Sequence, residues 1–235
     1  MRIYTGANQA IDEANINAQV HTFDNGVRIN FDSSHFTING KSWTIEKDGE
    51  LEFRSNIPAR GQMVMRESNQ LIKIQTRPSE TGDWNDLLVQ LEKVNMGDIG
   101  PFLLPRNRIE GLLSGNITVE DPINNPYVSS NDVQVESFRL DNDSIGNANI
   151  QLVYDGKMKL LTAKGATENT ENNLAFDLNI YTGDKNMQRN NLIKLQAKTY
   201  PVKILERFLG NLFSDMRGYV TGMSENKLPR KRSRI

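Results

Sequence analysis

An internal repeat constrains this 235-residue chain more than any other feature of its sequence. Five apolar residues recur about a hundred positions later at one constant offset: Leu87, Val89, Leu91, Ile99 and Phe102 match Ile193, Leu195, Ala197, Leu205 and Phe208. Gly111 and Gly115 then match Gly218 and Gly222, with one residue inserted. No catalytic group recurs with the repeat. It therefore indicates an architectural unit that stacks on copies of itself.

Short bursts of alternating apolar and polar residues occur along most of the chain, and this period of two is typical of half-buried strands. The residues Leu174, Phe176, Leu178 and Ile180 form the most regular burst, and Ile150 and Leu152 lie in another. Asn39-Gly40 predicts a tight hairpin within residues 35–45, because both turn positions need a positive φ. That register places Phe36 opposite Trp43. The pattern as a whole predicts an all-β meander of short antiparallel strands.

Helix is predicted at two places only. Residues 201–213 follow Tyr200-Pro201 and carry apolar residues at helical spacing, and residues 97–104 allow a turn or two. The chain divides into a partial β-repeat (1–84), a second repeat with a short helix near 97–104 (85–191), the start of a third with a helix near 201–213 (192–226), and a disordered basic tail (227–235).

Composition excludes several classes of protein. The formal net charge is −1, and five of the positive charges lie in residues 227–235, so the rest of the chain is acidic and unlike a nucleic-acid surface. No cysteine is present, which excludes disulfides and thiolate sites. No apolar run approaches the ~18 residues that span a bilayer, and the opening residues do not form a secretory signal.

No constellation of residues predicts catalysis, a metal site or a cofactor. The two histidines, His21 and His35, have no partner at a recognisable spacing. The segment from Asp141 to Gly146 begins like a calcium loop but has Ile145 and Leu152 where oxygen ligands belong. We therefore predict that the chain is not an enzyme. The alternating apolar face fits either a closed sandwich core or an open groove, and repetition with few helices to cover the sheet favours the groove.

Three segments resemble the TamB family of AsmA-like bridge proteins, the translocation and assembly module proteins of Gram-negative envelopes. They are Phe36–Ile45 with Leu51-Glu-Phe53, the segment from Leu112 to Val128, and Tyr200–Gly210 running on to Arg217–Gly222. The resemblance implies an elongated, curled β-sheet of taco-like shape, with an apolar concave side. It also implies an inner-membrane anchor, an Omp85-type outer-membrane barrel as partner, and a periplasmic location. Because no anchor precedes residue 1, we interpret the chain as an internal fragment.

The leading hypothesis is a segment of a conduit for phospholipid acyl chains that supports outer-membrane biogenesis. The predicted lining residues are Ile150, Leu152, Leu174, Phe176, Leu178 and Ile180. A second hypothesis is a scaffold or chaperone that assembles outer-membrane or autotransporter proteins by strand augmentation. A third is a structural or adhesive repetitive β-protein with a closed, dry core.

Overall fold

The computed structural model describes residues 11–98, 108–141, 143–168, 173–182, 191–201 and 218–228. Of these described residues, 77% lie in strands and 2% are helical, which confirms the all-β prediction. The strands are β1 (Ile11–Asn15), β2 (Ala18–Phe23), β3 (Gly26–Phe31), β4 (Ser34–Ile38), β5 (Lys41–Ile45), β6 (Gly49–Arg54), β7 (Ile57–Glu67), β8 (Gln70–Pro78), β9 (Asn85–Asn95), β10 (Ile109–Glu120), β11 (Tyr127–Leu140), β12 (Asp143–Asp155), β13 (Leu160–Thr167), β14 (Asn173–Tyr181), β15 (Asn191–Pro201) and β16 (Tyr219–Leu228).

All sixteen strands belong to one antiparallel sheet, which is curled and not closed on itself. From β7 to β16 each strand pairs with the next along the chain, so this part is a simple meander. The predicted curled sheet of antiparallel strands is thereby confirmed. Within the described ranges, β16 does not pair with any of the N-terminal strands, so the sheet is open.

The sheet forks at β7, which the sequence did not predict. β6 pairs with the first half of β7, with Leu51 opposite Gly61, and leads on to β3 and β2. β5 pairs with the second half, with Ile45 opposite Met65, and leads on to β4 and β1. Two short ribbons therefore share the one edge of β7.

The hairpin β4–β5 has the predicted turn and register. Asn39 and Gly40 have φ values of 50° and 73°, and Phe36 lies opposite Trp43 with their rings stacked at 6.2 Å between centroids. Trp43 is 2% exposed and forms a buried cluster with Ile38 and Val94. The hairpin thus packs over the end of β9 rather than extending away from the sheet.

The sequence repeat is reproduced in the strand register. In the first copy Val94 lies opposite Leu113 and Leu91 opposite Gly115; in the second, Tyr200 lies opposite Val220 and Ala197 opposite Gly222. A β-bulge interrupts both strand pairs at the same place, at Lys93 and at Thr199, with φ values of 49° and 48°. The strands β9–β10 and β15–β16 are therefore two copies of one structural unit.

Each of these bulges is closed by a side chain from the next strand. The Lys93 N–H donates to Ser114 Oγ and the Thr199 N–H to Thr221 Oγ1, both at 2.9 Å. Ser114 and Thr221 are themselves equivalent positions of the repeat. A third bulge, at Ser137 in β11, donates its N–H to Asn147 Oδ1 at 3.0 Å. Bulges bend strands and increase their twist, and these three contribute to the curl.

The predicted helices fall largely outside the described residues. Residues 96–98 are helical and include the start of the segment predicted near 97–104. Residues 99–104 lie outside the described residues. Of the segment 201–213, only Pro201 is described, and it ends β15. β16 continues to Leu228, two residues into the predicted tail. No helix among the described residues has the length and apolar character needed to span a membrane.

Candidate apolar groove

One face of the sheet carries rows of apolar side chains that run across the strands. Residues directly opposite each other in an antiparallel pair project from the same face, so the register traces each row. From β12 to β15 the rows are Ile150–Gly165–Phe176–Leu195, Leu152–Ala163–Leu178–Ile193, and the shorter Tyr154–Leu161–Ile180. Leu174, opposite Ala197, adds a fourth position. The structure places all six predicted lining residues on this face; that they contact lipid stays a prediction.

The same face continues through the earlier strands without a break. The pairs that extend it are Val133–Ile150, Val128–Tyr154, Val119–Val128, Leu87–Val119, Val89–Ile117, Ile74–Val89, Ile72–Leu91, Met63–Ile74 and Met65–Ile72. It therefore crosses nine strands, β7 to β15. At a spacing of about 4.8 Å between strands, this corresponds to about 38 Å.

Two contacts show that this apolar face is concave. The Tyr200 hydroxyl, on β15, donates to the Ile145 carbonyl of β12 over 3.5 Å, although two strands lie between them. In a flat sheet β12 and β15 would be about 14 Å apart. On the β7 side of the face, Trp43 of β5 packs in one cluster with Val94 of β9 and Leu113 of β10. Both contacts require the sheet to curl toward its apolar side.

The middle of the concave face is partly open to solvent. Leu174 is 8% exposed, whereas Ile150, Leu152, Phe176, Leu178 and Ile180 are each half-buried. Gly165 shapes this part of the groove, because a Cβ there would lie 2.4 Å from the Phe176 ring. The glycine thus lets the ring of Phe176 lie over β13. Its role escaped the sequence analysis because it depends on a neighbour in the next strand.

Two aromatic clusters cover the groove at one end of its strands, the end where β9 and β15 have their bulges. The hairpin β4–β5 covers this end above β9. An ion pair of 2.8 Å between Lys41 Nζ and Asp98 holds the hairpin in place. In the second cluster, Tyr200 packs with Leu174 of β14 and Ala197 of β15. Burial, and after it the nearby charge of Asp143, raises the pKa of the Tyr200 hydroxyl above its ordinary value. Both clusters lie at the bulged ends of the strands.

The opposite, convex face is polar. Lys164 and Asp177 are cross-strand partners with 3.6 Å between Nζ and Oδ2, and Thr162 bonds to Asn179 at 3.1 Å. This alternation is what an antiparallel sheet with one solvated face requires. The continuous apolar surface is therefore confined to the concave side.

A buried ion cluster lies on the polar face of the β3–β6 ribbon. The Glu52 side chain is fully buried; both of its oxygens accept bonds from Arg28 Nη2, at 3.0 and 3.1 Å, and Arg54 Nε lies 2.8 Å from Oε1. The Arg54 guanidinium stacks 3.2 Å from the centroid of the Phe23 ring. With its charge matched by two arginines, Glu52 joins the two strands of the ribbon, and we assign it a structural role.

The described residues offer little else for chemistry. They contain no group of three or more His, Asp or Glu placed to hold a metal ion. The loop that begins like a calcium site uses Asp141 for structure, because its Oδ1 accepts the Arg108 N–H at 3.0 Å. A cavity of about 430 Å³ lies among the turns after β6, β8 and β10, beside Trp84 and Ile123, and one of about 410 Å³ lies beside Asn30 and Lys47.

The fold and the groove define a class: an open, curled and internally repeated β-sheet protein with an apolar concave face. In the comparisons with known proteins, no family model, no curated protein and no solved structure matches the chain.

Proposed function

We propose that the concave face binds the hydrocarbon chains of phospholipids and carries them along the groove. The observation that supports this most is the continuous apolar face across nine strands, which stays partly exposed in its middle. Large exposed apolar surfaces are uncommon on soluble proteins and mark sites for apolar partners. The partly exposed lining also argues against the alternative of a closed, dry core.

The energetics favour such a guest. Each methylene that leaves water contributes ~0.8 kcal/mol, so a dozen carbons contribute about 10 kcal/mol before the costs of ordering the chain. The rows Ile150–Leu195 and Leu152–Ile193 contain no charged residue, so neighbouring positions offer similar environments. An acyl chain then has no strongly preferred position, which allows it to slide.

We further propose that the chain acts as a segment of an AsmA-like bridge protein in the periplasm. A curled sheet with an apolar concave side is what the sequence resemblance implies for that family. In this proposal, the inner-membrane anchor and the contact with an Omp85-type barrel belong to other parts of the protein. The cargo moves between inner and outer membranes and so supports outer-membrane biogenesis.

The test compares two neighbouring residues that face opposite ways. Leu152→Asp places a charge in the groove, whereas Gln151→Asp places the same charge on the exposed convex face. We expect Leu152→Asp to lower bound phospholipid, measured by mass spectrometry of the purified protein, at least about tenfold, because an unpaired charge is costly in an apolar site. Gln151→Asp should retain the lipid of the wild type.

Two results would contradict the proposal: wild-type protein free of phospholipid after incubation with vesicles, or equal lipid loss in both variants. The scaffold hypothesis makes a different prediction. It requires crosslinks from an edge strand to unfolded outer-membrane or autotransporter proteins, in place of lipid in the groove.

A further inference from the structure

Two hairpins of the sheet contain the dipeptide Asn-Gly at their turns, at Asn25-Gly26 and at Asn39-Gly40. In such a dipeptide the amide nitrogen of the glycine can attack Cγ of the asparagine side chain, because the glycine has no side chain to hinder the approach. The asparagine then loses its side-chain amide as ammonia. Ring closure requires the backbone to rotate at the asparagine, so the fold decides which of the two sites reacts.

The turn of the β4–β5 hairpin leaves Asn39-Gly40 accessible. Both residues are exposed, and a Cβ atom built on Gly40 would meet nothing within 4 Å among the described residues beyond its chain neighbours. The last strand pair of the hairpin joins Ile38 to Lys41, so both residues lie in the turn itself. Rotation there requires only the tip of the hairpin to open, and local openings cost much less free energy than global unfolding.

The strands around Asn25-Gly26 enclose the second dipeptide. Gly26 pairs with residues of both neighbouring strands, β2 and β6, and a Cβ atom on it would overlap the Phe53 carbonyl oxygen. The Asn25 carbonyl accepts the Ser55 N–H at 3.0 Å, and the Asn25 side-chain amide donates to Asn56 Oδ1. Rotation at Asn25 therefore requires paired strands to separate.

We propose that Asn39 is a site of spontaneous deamidation and that its conversion releases the β4–β5 hairpin from the groove. The Gly40 nitrogen bonds to Asn39 Cγ, and the bond from Cγ to the side-chain nitrogen breaks. Ammonia leaves with the proton of the Gly40 N–H. A water molecule then opens the ring at either of its carbonyl carbons and gives aspartate or isoaspartate. Water is the only co-reactant.

The product alters the contacts that hold the tip of the hairpin. Asn39 Nδ2 donates to the Gly97 carbonyl at 3.3 Å, beside the ion pair of Lys41 with Asp98. A carboxylate at position 39 cannot donate this bond, and it adds a negative charge near Asp98. Isoaspartate also lengthens the backbone of a two-residue turn, and the length of such a turn fixes the strand register. The release of the hairpin does not rest on the proposed lipid function.

Peptide mass spectrometry of protein aged at mildly alkaline pH tests the site. In the folded wild type, Asn39 should deamidate at least about tenfold faster than Asn25, which corresponds to about 1.4 kcal/mol between the two activation free energies. In urea the two rates should become similar, because the fold no longer distinguishes the sites. Asn39→Gln, which would have to close a larger ring, is the matched control and should stay unmodified. An unreactive Asn39 in the folded protein, or equal rates at both sites, would overturn the proposal.

Hydrogen exchange tests the consequence for the hairpin. The deamidated fraction carries an added negative charge, so ion-exchange chromatography separates it from unreacted protein. The peptides of β4 and β5 should exchange faster in the deamidated fraction, whereas those of β12 should not change. Equal exchange of β4 and β5 in both fractions would show that deamidation leaves the hairpin in place and would overturn the proposed release.

Discussion

Among single residues, Trp43 joins the β4–β5 hairpin to a strand about 50 positions further along the chain. Its ring stacks on Phe36 within the hairpin and is buried against Val94 of β9. Trp43→Ala should lower the free energy of unfolding by about 3–5 kcal/mol, because it leaves a cavity and uncovers Val94. Urea denaturation followed by circular dichroism measures the loss.

The neighbouring residue Thr44 supplies the control for this prediction, because it is exposed on the other face of β5. Thr44→Ala should change the free energy of unfolding by no more than about 0.5 kcal/mol. Similar losses in both variants would mean that the hairpin contributes through its backbone pairing and not through the indole.

At the scale of elements, the side-chain closure of the bulges is open to test. Ser114→Ala removes the acceptor of the Lys93 N–H and should cost about 1 kcal/mol of unfolding free energy. Ser114→Thr keeps a hydroxyl, as Thr221 does in the second copy, and should retain most of the wild-type stability. Thermal or urea unfolding distinguishes the two variants. Equal losses would show that the hydroxyl is not what holds the bulge.

Elements also differ in how far their sequence predicts them. The hairpin at Asn39-Gly40 and the strand from Leu174 to Ile180 follow from local patterns, because a positive-φ turn and a period of two are properties of adjacent residues. The bulges at Lys93 and Thr199 carry no such signal. Neither residue type favours a positive φ, and the bulge depends on a hydroxyl about twenty residues away in the next strand.

For the whole molecule, the curl and the hairpin together decide which part of the apolar face stays accessible from outside. An acyl chain with a photoreactive group should label Leu178 and Ile193, which are half-buried in the open middle. It should spare Val94, which is fully buried in the Trp43 cluster. Mass spectrometry of the digested, labelled protein locates the sites.

Loosening the hairpin should extend that labelled region. Lys41→Met leaves Asp98, 3% exposed, without its cation and should weaken the contact that holds the hairpin over the groove. Labelling should then reach Val94 and Leu113, whereas Lys47→Met, at an exposed lysine, should change nothing. Strong labelling of Val94 in the wild type would contradict the covered end of the groove.

The sequence by itself determined that this protein is built from antiparallel strands, which of their residues share an apolar face, and that one unit occurs twice. These properties follow from the alternation of neighbouring residues and from the constant offset between the two copies. Both can be read from the sequence without knowing any tertiary contact. Only the tertiary structure decided that the sheet forks at β7, that it curls until Tyr200 meets Ile145, and that Trp43 covers one end of the groove. The contacts of Tyr200 and Trp43 join residues about 50 positions apart, and they depend on the bend that bulges and strand twist accumulate across many strands.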